Sequence, residues 1–164
     1  MSDLFGDTRT MKAISLWQPW ATLVALGLKA HETRHWSTEH RGPIAIHAAK
    51  TIDYAGAPAR LCHRAIGQAW WEQCPLGMVV AIARLRTCRR TDAVVEHITR
   101  ADEASGDYTA GRFAWALADV RPLGEPIPAI GRQGLFNWTP PEDLDARVGR
   151  RLDHLEICAR VGWA

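Results

Sequence analysis

Gly27 stands where one periodicity gives way to another. Before it, Trp20, Leu23, Val24 and Leu26 recur at helical spacing; after it, His31-Glu32-Thr33-Arg34 alternates with the period of a strand. A glycine at such a junction allows the left-handed turn that ends a helix. The chain is thereby constrained to run a short apolar helix directly into a strand. Glu32 and Arg34 then project from one face, and Lys29, in the turn, leans over it. A Lys, a Glu and an Arg converging at a helix-to-strand turn make a polar site suited to an anion or a base edge. The same three charges also suit an ion-pair cluster that ties the helix end to the sheet, and both readings stand at this point.

The rest of the chain reads as short strands interleaved with a few helices. Residues 1–10 form a loose lead-in, and 11–164 a single domain. Strands are expected at Lys12–Trp17, His31–Trp36, Pro43–His47, Met78–Cys88, Phe113–Val120 and Leu135–Trp138. Gln18-Pro19 opens the first helix, with Pro19 tolerated in its first turn. A second helix is expected over Ala57–Cys74, and a short one from Thr91-Asp92, where a capping residue is available. Pro122, Pro126 and Pro128 predict an irregular connection after the fifth strand. Pro140-Pro141-Glu142-Asp143 begins a C-terminal helical extension, a helix to about Leu152 packed on the outside. This order gives an α+β class with a mainly β core: a small barrel with flanking helices rather than a doubly wound sheet.

Composition narrows the function classes. The apolar fraction of 47% and charged fraction of 23% over 164 residues are those of a globular protein with a real core. A formal net charge of only +2 means that phosphate binding would require local clustering of Arg rather than bulk charge. The four cysteines, at 62, 74, 88 and 158, form no Cys-x-x-Cys pair, so a zinc ribbon is not expected. Cys62 beside His63 reads as an ordinary thiol, and neither a metal nor a cofactor is expected. Ser2-Asp3-Leu4-Phe5-Gly6-Asp7 does not read as a signal peptide, and no apolar run reaches the length of a membrane helix. The expectation is a cytoplasmic monomer with reduced thiols and no membrane contact.

Five blocks carry a resemblance. Gly27, Lys29, Glu32 and Arg34 spell Gly-x-Lys-x-x-Glu-x-Arg. Ile14-Ser15-Leu16-Trp17-Gln18-Pro19-Trp20-Ala21 precedes it and Arg41–Lys50 follows; Gly111–Trp115 and Gly131–Trp138 complete the set. From about Met11 to Trp138 the chain resembles prophage-type ASCH domain proteins, whose fold is a PUA-like β-barrel. The resemblance implies RNA binding, by kinship with the PUA domain. Some small relatives hydrolyse N4-acylated cytidine with a Lys, a Thr three residues on and a distant Glu. Here Lys29 is present, but position 32 is Glu and Thr33 comes one residue late, which on a strand sends the side chain to the opposite face. The triad of those relatives is not reproduced. Ribonuclease activity in such a protein would pair Lys29 with His47 or Glu32 as base.

The candidate site follows. Lys29, Arg34 and Arg132 are expected anion contacts, Glu32 and Gln18 base-edge contacts, and Trp17 or Trp20, among eight tryptophans, the stacking surface. His47 and Lys50 form a second polar pair, His47 being either a general base or a capped surface histidine. Arg132 and Gln133 lie in a glycine-flanked loop, and Arg112 and Tyr108 in a loop able to act as a lid. If the protein is an enzyme, Lys29, Glu32 and His47 are the catalytic set. The expected partner is RNA or a nucleotide-like ligand. The rival classes are a small hydrolase and a regulatory interaction module, the latter favoured by exposed tryptophans away from the cleft.

Overall fold

A computed structural model of the protein describes residues 10–164. The expected lead-in lies, apart from Thr10, outside the described residues. The order is β1 (Met11–Gln18), α1 (Trp20–Ala25), β2 (His31–Arg34), β3 (Gly42–Ile52), α2 (Gly56–Ile66), β4 (Met78–Arg90), α3 (Arg100–Ser105), β5 (Phe113–Pro128), β6 (Leu135–Trp138), α4 (Leu144–Arg147) and α5 (His154–Val161). The strands form one six-stranded sheet ordered β2-β5-β4-β3-β1-β6. β1 and β3 run parallel, and every other neighbouring pair is antiparallel. This is the mixed α+β arrangement expected, but the sheet is not closed. Among the described residues β2 and β6 remain its two edges. Register shifts along β4 and β5 mark bulges that bend those long strands.

Strand alternation builds two apolar layers. Ile14, Leu16, Ile44, Ile46, Leu85 and Trp115 pack with Ala21 and Val24 of α1 on one face. Met11, Ala13, Ala45, Val79, Ile82, Phe136 and Leu144 pack on the other. A third cluster, with Leu23, Leu28, Leu61, Trp70 and Cys158, joins α1, α2 and α5. Among the described residues no helix is long and apolar enough to cross a membrane.

Several expectations need correction. β5 does not end at Val120 but continues through its prolines to Pro128. β2 pairs only with Phe113–Ala116, so beyond that point one side of β5 is an edge, where a missing N–H costs no ladder bond. The C-terminal segment covers this edge: Gly149 N donates to the Pro122 carbonyl and Leu152 N to that of Val120. The expected C-terminal helix to Leu152 is therefore interrupted, α4 and α5 flanking an extended stretch that bridges to Leu123 at Val148. The expected helix over 57–74 breaks at Gly67, and a 3-10 turn at Trp70–Gln73 follows left-handed Ala69. The helix from Thr91 is likewise a 3-10 turn, and α3 has no counterpart among the expected elements.

Candidate functional site

Gly27 does what the periodicity requires. It has φ +78, and a Cβ there would stand 2.6 Å from Cδ1 of Ile157, so both conformation and packing favour glycine. The turn then delivers Lys29 into the protein, where it is only 1% exposed. Its ammonium donates to the Ser105 carbonyl at 2.7 Å and lies 3.4 Å from Glu32 Oε2. Arg34 Nε lies 2.9 Å from Glu32 Oε1, an ion pair whose N–H is not aligned as a hydrogen bond. Arg34 Nη2 donates to the Ser15 carbonyl at 3.0 Å. Lys29, Glu32 and Arg34 thus form a continuous chain of charges with one net positive charge. The Lys-Glu end is buried and the Arg end half-buried.

Behind this chain Asp102 of α3 fixes the turn. Its Oδ1 accepts from Ala30 N at 2.8 Å and His31 N at 3.1 Å; its Oδ2 lies 3.3 Å from His31 Nδ1 and 3.1 Å from His154 Nε2. Burial opposes its charge, but the bonds to His154 and His31 hold its carboxyl below the usual carboxylate range. Burial likewise disfavours the His154 cation, yet Asp102, Cys158 and the Gly27 carbonyl, which accepts from Nδ1 at 2.7 Å, raise it to about 10. Burial pushes the Tyr108 phenol up, with Asp102 and Glu32 adding to the effect.

Two clefts open on this framework. The first, about 520 Å³, is lined by Lys29, Glu32, Arg34, Trp17, Trp20, Ser105, Asp107 and Arg112. The second, about 1140 Å³, is lined by Trp17, Arg34, Trp36, His47, Lys50, Ile130, Arg132 and Gln133. Ser15, Trp17, Arg34 and His35 belong to both, so the clefts adjoin along that wall. The wall exists because β6 pairs with β1 only as far as Ile14, leaving Ser15 and Trp17 at an uncovered edge. Lys50 reaches the second cleft because β3 advances four residues, from Ala48 to Ile52, while β1 advances two, from Leu16 to Gln18. Trp17, 57% exposed, stands between the two spaces.

The ASCH domain family model matches residues 14–127. The chain belongs to the ASCH domain family. Two solved structures are similar in fold. One is ASCH from Zymomonas mobilis, 19% identical, covering 87% of this chain and 99% of that one with a TM-score of 0.54. The other is a mutant form of that same Zymomonas mobilis protein, 19% identical, covering 83% and 94% with a TM-score of 0.53. No curated protein matches the sequence. At this identity the likeness concerns the fold.

The structure brings together most of the residues expected at an ASCH site, with different roles for some. Trp17, Trp20, Lys29, Glu32, Arg34 and Arg112 line the first cleft; Trp17, Arg34, His47, Lys50, Arg132 and Gln133 line the second. Gln18, expected as a base-edge contact, is wholly buried. Its Nε2 donates to the Pro75 carbonyl at 2.8 Å, and its Oε1 accepts from Thr22 N at 3.0 Å. Both amide ends are occupied, so it braces α1 instead. His47 is no surface histidine: it is 2% exposed and bonded at both nitrogens. Lys29 does reach Glu32 from the turn, but buried, with its ammonium also held by the Ser105 carbonyl. Arg112 braces the Tyr108 loop, donating to the carbonyls of Asp107 and Thr33. Thr33 Oγ1 accepts from Asp107 N at 2.9 Å and so anchors the same loop. Sequence reasoning does not reach Ser105 and Asp102. Thr99-x-x-Asp102, a helix-capping pattern in which Thr99 accepts from Asp102 N, is the available signal.

Proposed function

We propose that this ASCH domain binds single-stranded RNA, or a nucleotide presented like one, across both clefts. The observation that carries the reading is the position of Trp17, an exposed indole shared by a compensated charge cluster on one side and a cationic cleft on the other. A base stacks on Trp17 in this reading, an interaction worth about 1–3 kcal/mol. Glu32 and the remaining donors of Lys29 face the base edge in the first cleft. Lys50 and Arg132 hold phosphates in the second, and Arg34 serves both sides. The cleft volumes support it: the first accommodates a nucleoside, and the second a further nucleotide.

Fluorescence anisotropy of a labelled single-stranded RNA oligonucleotide tests this reading. Wild-type protein is expected to bind, with an affinity that falls as salt rises, and Trp17→Ala to weaken binding about 5- to 100-fold. Equal affinity in the two proteins, or no salt dependence, contradicts the reading. The rival N4-acylcytidine hydrolase predicts turnover of N4-acetylcytidine that disappears in Lys29→Ala.

A further inference from the structure

One pair in the second cleft has a geometry that ligand binding does not require. Ser15 and His47 are register partners on the parallel strands β1 and β3. Ser15 Oγ lies 2.8 Å from His47 Nδ1, and His47 Nε2 lies 2.9 Å from the Ala129 carbonyl. A carbonyl can only accept, so Nε2 carries a proton. In the neutral ring the Nδ1 lone pair therefore faces the Ser15 hydroxyl, which donates to it. The imidazole is buried, whereas Ser15 is half-exposed and borders both clefts. A hydroxyl on a half-exposed residue at the wall of two clefts, backed by an oriented imidazole, has the arrangement of an activated nucleophile.

The loop above packs directly on this couple. A Cβ on Gly131 would stand 2.5 Å from His47 Cε1 and 2.6 Å from Ser15 Oγ. Gly131 has no left-handed backbone to explain its lack of a side chain; the close approach of its backbone to the Ser-His contact explains it. The surrounding cleft joins the apolar surfaces of Trp17, Trp36 and Ile130 to the cations Lys50 and Arg132, and Arg34 already holds the Ser15 carbonyl.

We propose that Ser15 and His47 are a nucleophile-base couple that hydrolyses small carboxylic esters bearing a negative charge. Ser15 Oγ bonds to the acyl carbon as its proton passes to His47 Nδ1. The ester C–O bond then breaks, and the departing alcohol takes that proton. Water attacks the acyl-serine, giving its proton to Nδ1, and Ser15 leaves with the proton returned, releasing the carboxylic acid. While both ring nitrogens are protonated, the Ala129 carbonyl accepts from Nε2 and stabilises the cation. Arg34 is the cation nearest the serine backbone and compensates negative charge developing on the acyl oxygen. The apolar walls hold the acyl chain, and Lys50 and Arg132 hold its charge.

A fluorophosphonate probe and two p-nitrophenyl esters, neutral acetate and anionic succinate, test the proposal on the whole protein. The expected result is a covalent adduct mapped to Ser15 by peptide mass. Faster hydrolysis of the succinate is also expected, with at least about a 100-fold loss of both signals in Ser15→Ala. Arg132→Ala should abolish the preference for succinate. His47→Gln tests the base; should that variant fail to fold, Gly131→Ala drives a methyl group into the Ser-His contact with both groups still present and is expected to lose labelling. An unlabelled Ser15, labelling that persists in Ser15→Ala, or wild-type labelling in folded His47→Gln or Gly131→Ala overturns the proposal. RNA affinity of Ser15→Ala is measured separately. Retained affinity without labelling in the wild type defeats the esterase alone, whereas lost wild-type RNA binding defeats the binding reading and leaves the esterase to its own assay.

Discussion

The two clefts share Trp17 and Arg34 but treat charge in opposite ways. In the first, Lys29 and Arg34 meet Glu32, and Arg112 faces Asp107 at 3.3 Å. In the second, Arg34, Lys50 and Arg132 line the space with, among the described residues, no carboxylate. Lys50 and Arg132 are exposed, whereas Lys29 is buried. A buried charge survives only with a partner and hydrogen bonds, so Lys29, Glu32 and Arg34 first of all build a wall. Open cations keep their long-range attraction for phosphate and contribute to binding through counterion release. The difference shows that the residues of a family signature and the uncompensated cations of a cleft need not be the same.

Removing the shared carboxylate breaks the comparison most severely. Glu32→Ala strands Lys29 beside Ser105 alone and is expected to lower stability by about 3–5 kcal/mol in urea unfolding. A loss below about 1 kcal/mol would mean that the chain of charges behaves like a surface pair.

Titration separates the clefts next. The His154 value is raised on folding, so its contribution is complete below the unfolded value near about 6.5 and is lost as pH rises through about 10. The Asp102 value is lowered, so its contribution is complete above about pH 4 and is lost as pH falls towards the folded value. The unfolding midpoint should therefore decline between about pH 6.5 and 10. His154→Gln should flatten that decline, while Arg132→Ala leaves its shape unchanged. A wild-type midpoint constant across the interval contradicts the Asp102-His154 anchor.

The sequence reached the framework of this site but not its depth. Gly27, the Glu32-Arg34 face and the strand around Val79–Leu85 follow from local periodicity and turn chemistry, which need no tertiary information. Burial of Lys29 does not, because its partner carbonyl at Ser105 is 76 residues away. Gln18 looks available in the sequence because its two partners, Pro75 O and Thr22 N, come together only when the fold closes over β1. The prolines of β5 mislead because an edge tolerates what a central strand does not, and strand order decides which applies. Ser15 and His47 lie 32 residues apart on parallel strands, and no local pattern marks them as neighbours.

Smaller effects sharpen the division at the surface. Trp17→Ala should change stability by no more than about 0.5 kcal/mol, since the indole is largely exposed, while costing RNA affinity. Lys50→Ala and Arg132→Ala should each reduce the salt slope of RNA binding by about 0.7, one single-strand phosphate's worth. Arg112→Ala should reduce it less, because Asp107 already compensates its charge. Equal slopes for all three variants would erase the distinction between compensated and open cations.

The most direct measurement of the two-cleft account is a titration of a dinucleotide into isotopically labelled protein, followed by NMR. The account predicts large shifts of the Trp17 indole and of the Lys50 and Arg132 signals, with the buried Trp115 indole stationary. Unmoved Trp17, Lys50 and Arg132 at saturating dinucleotide, or shifts confined to another face, would contradict it.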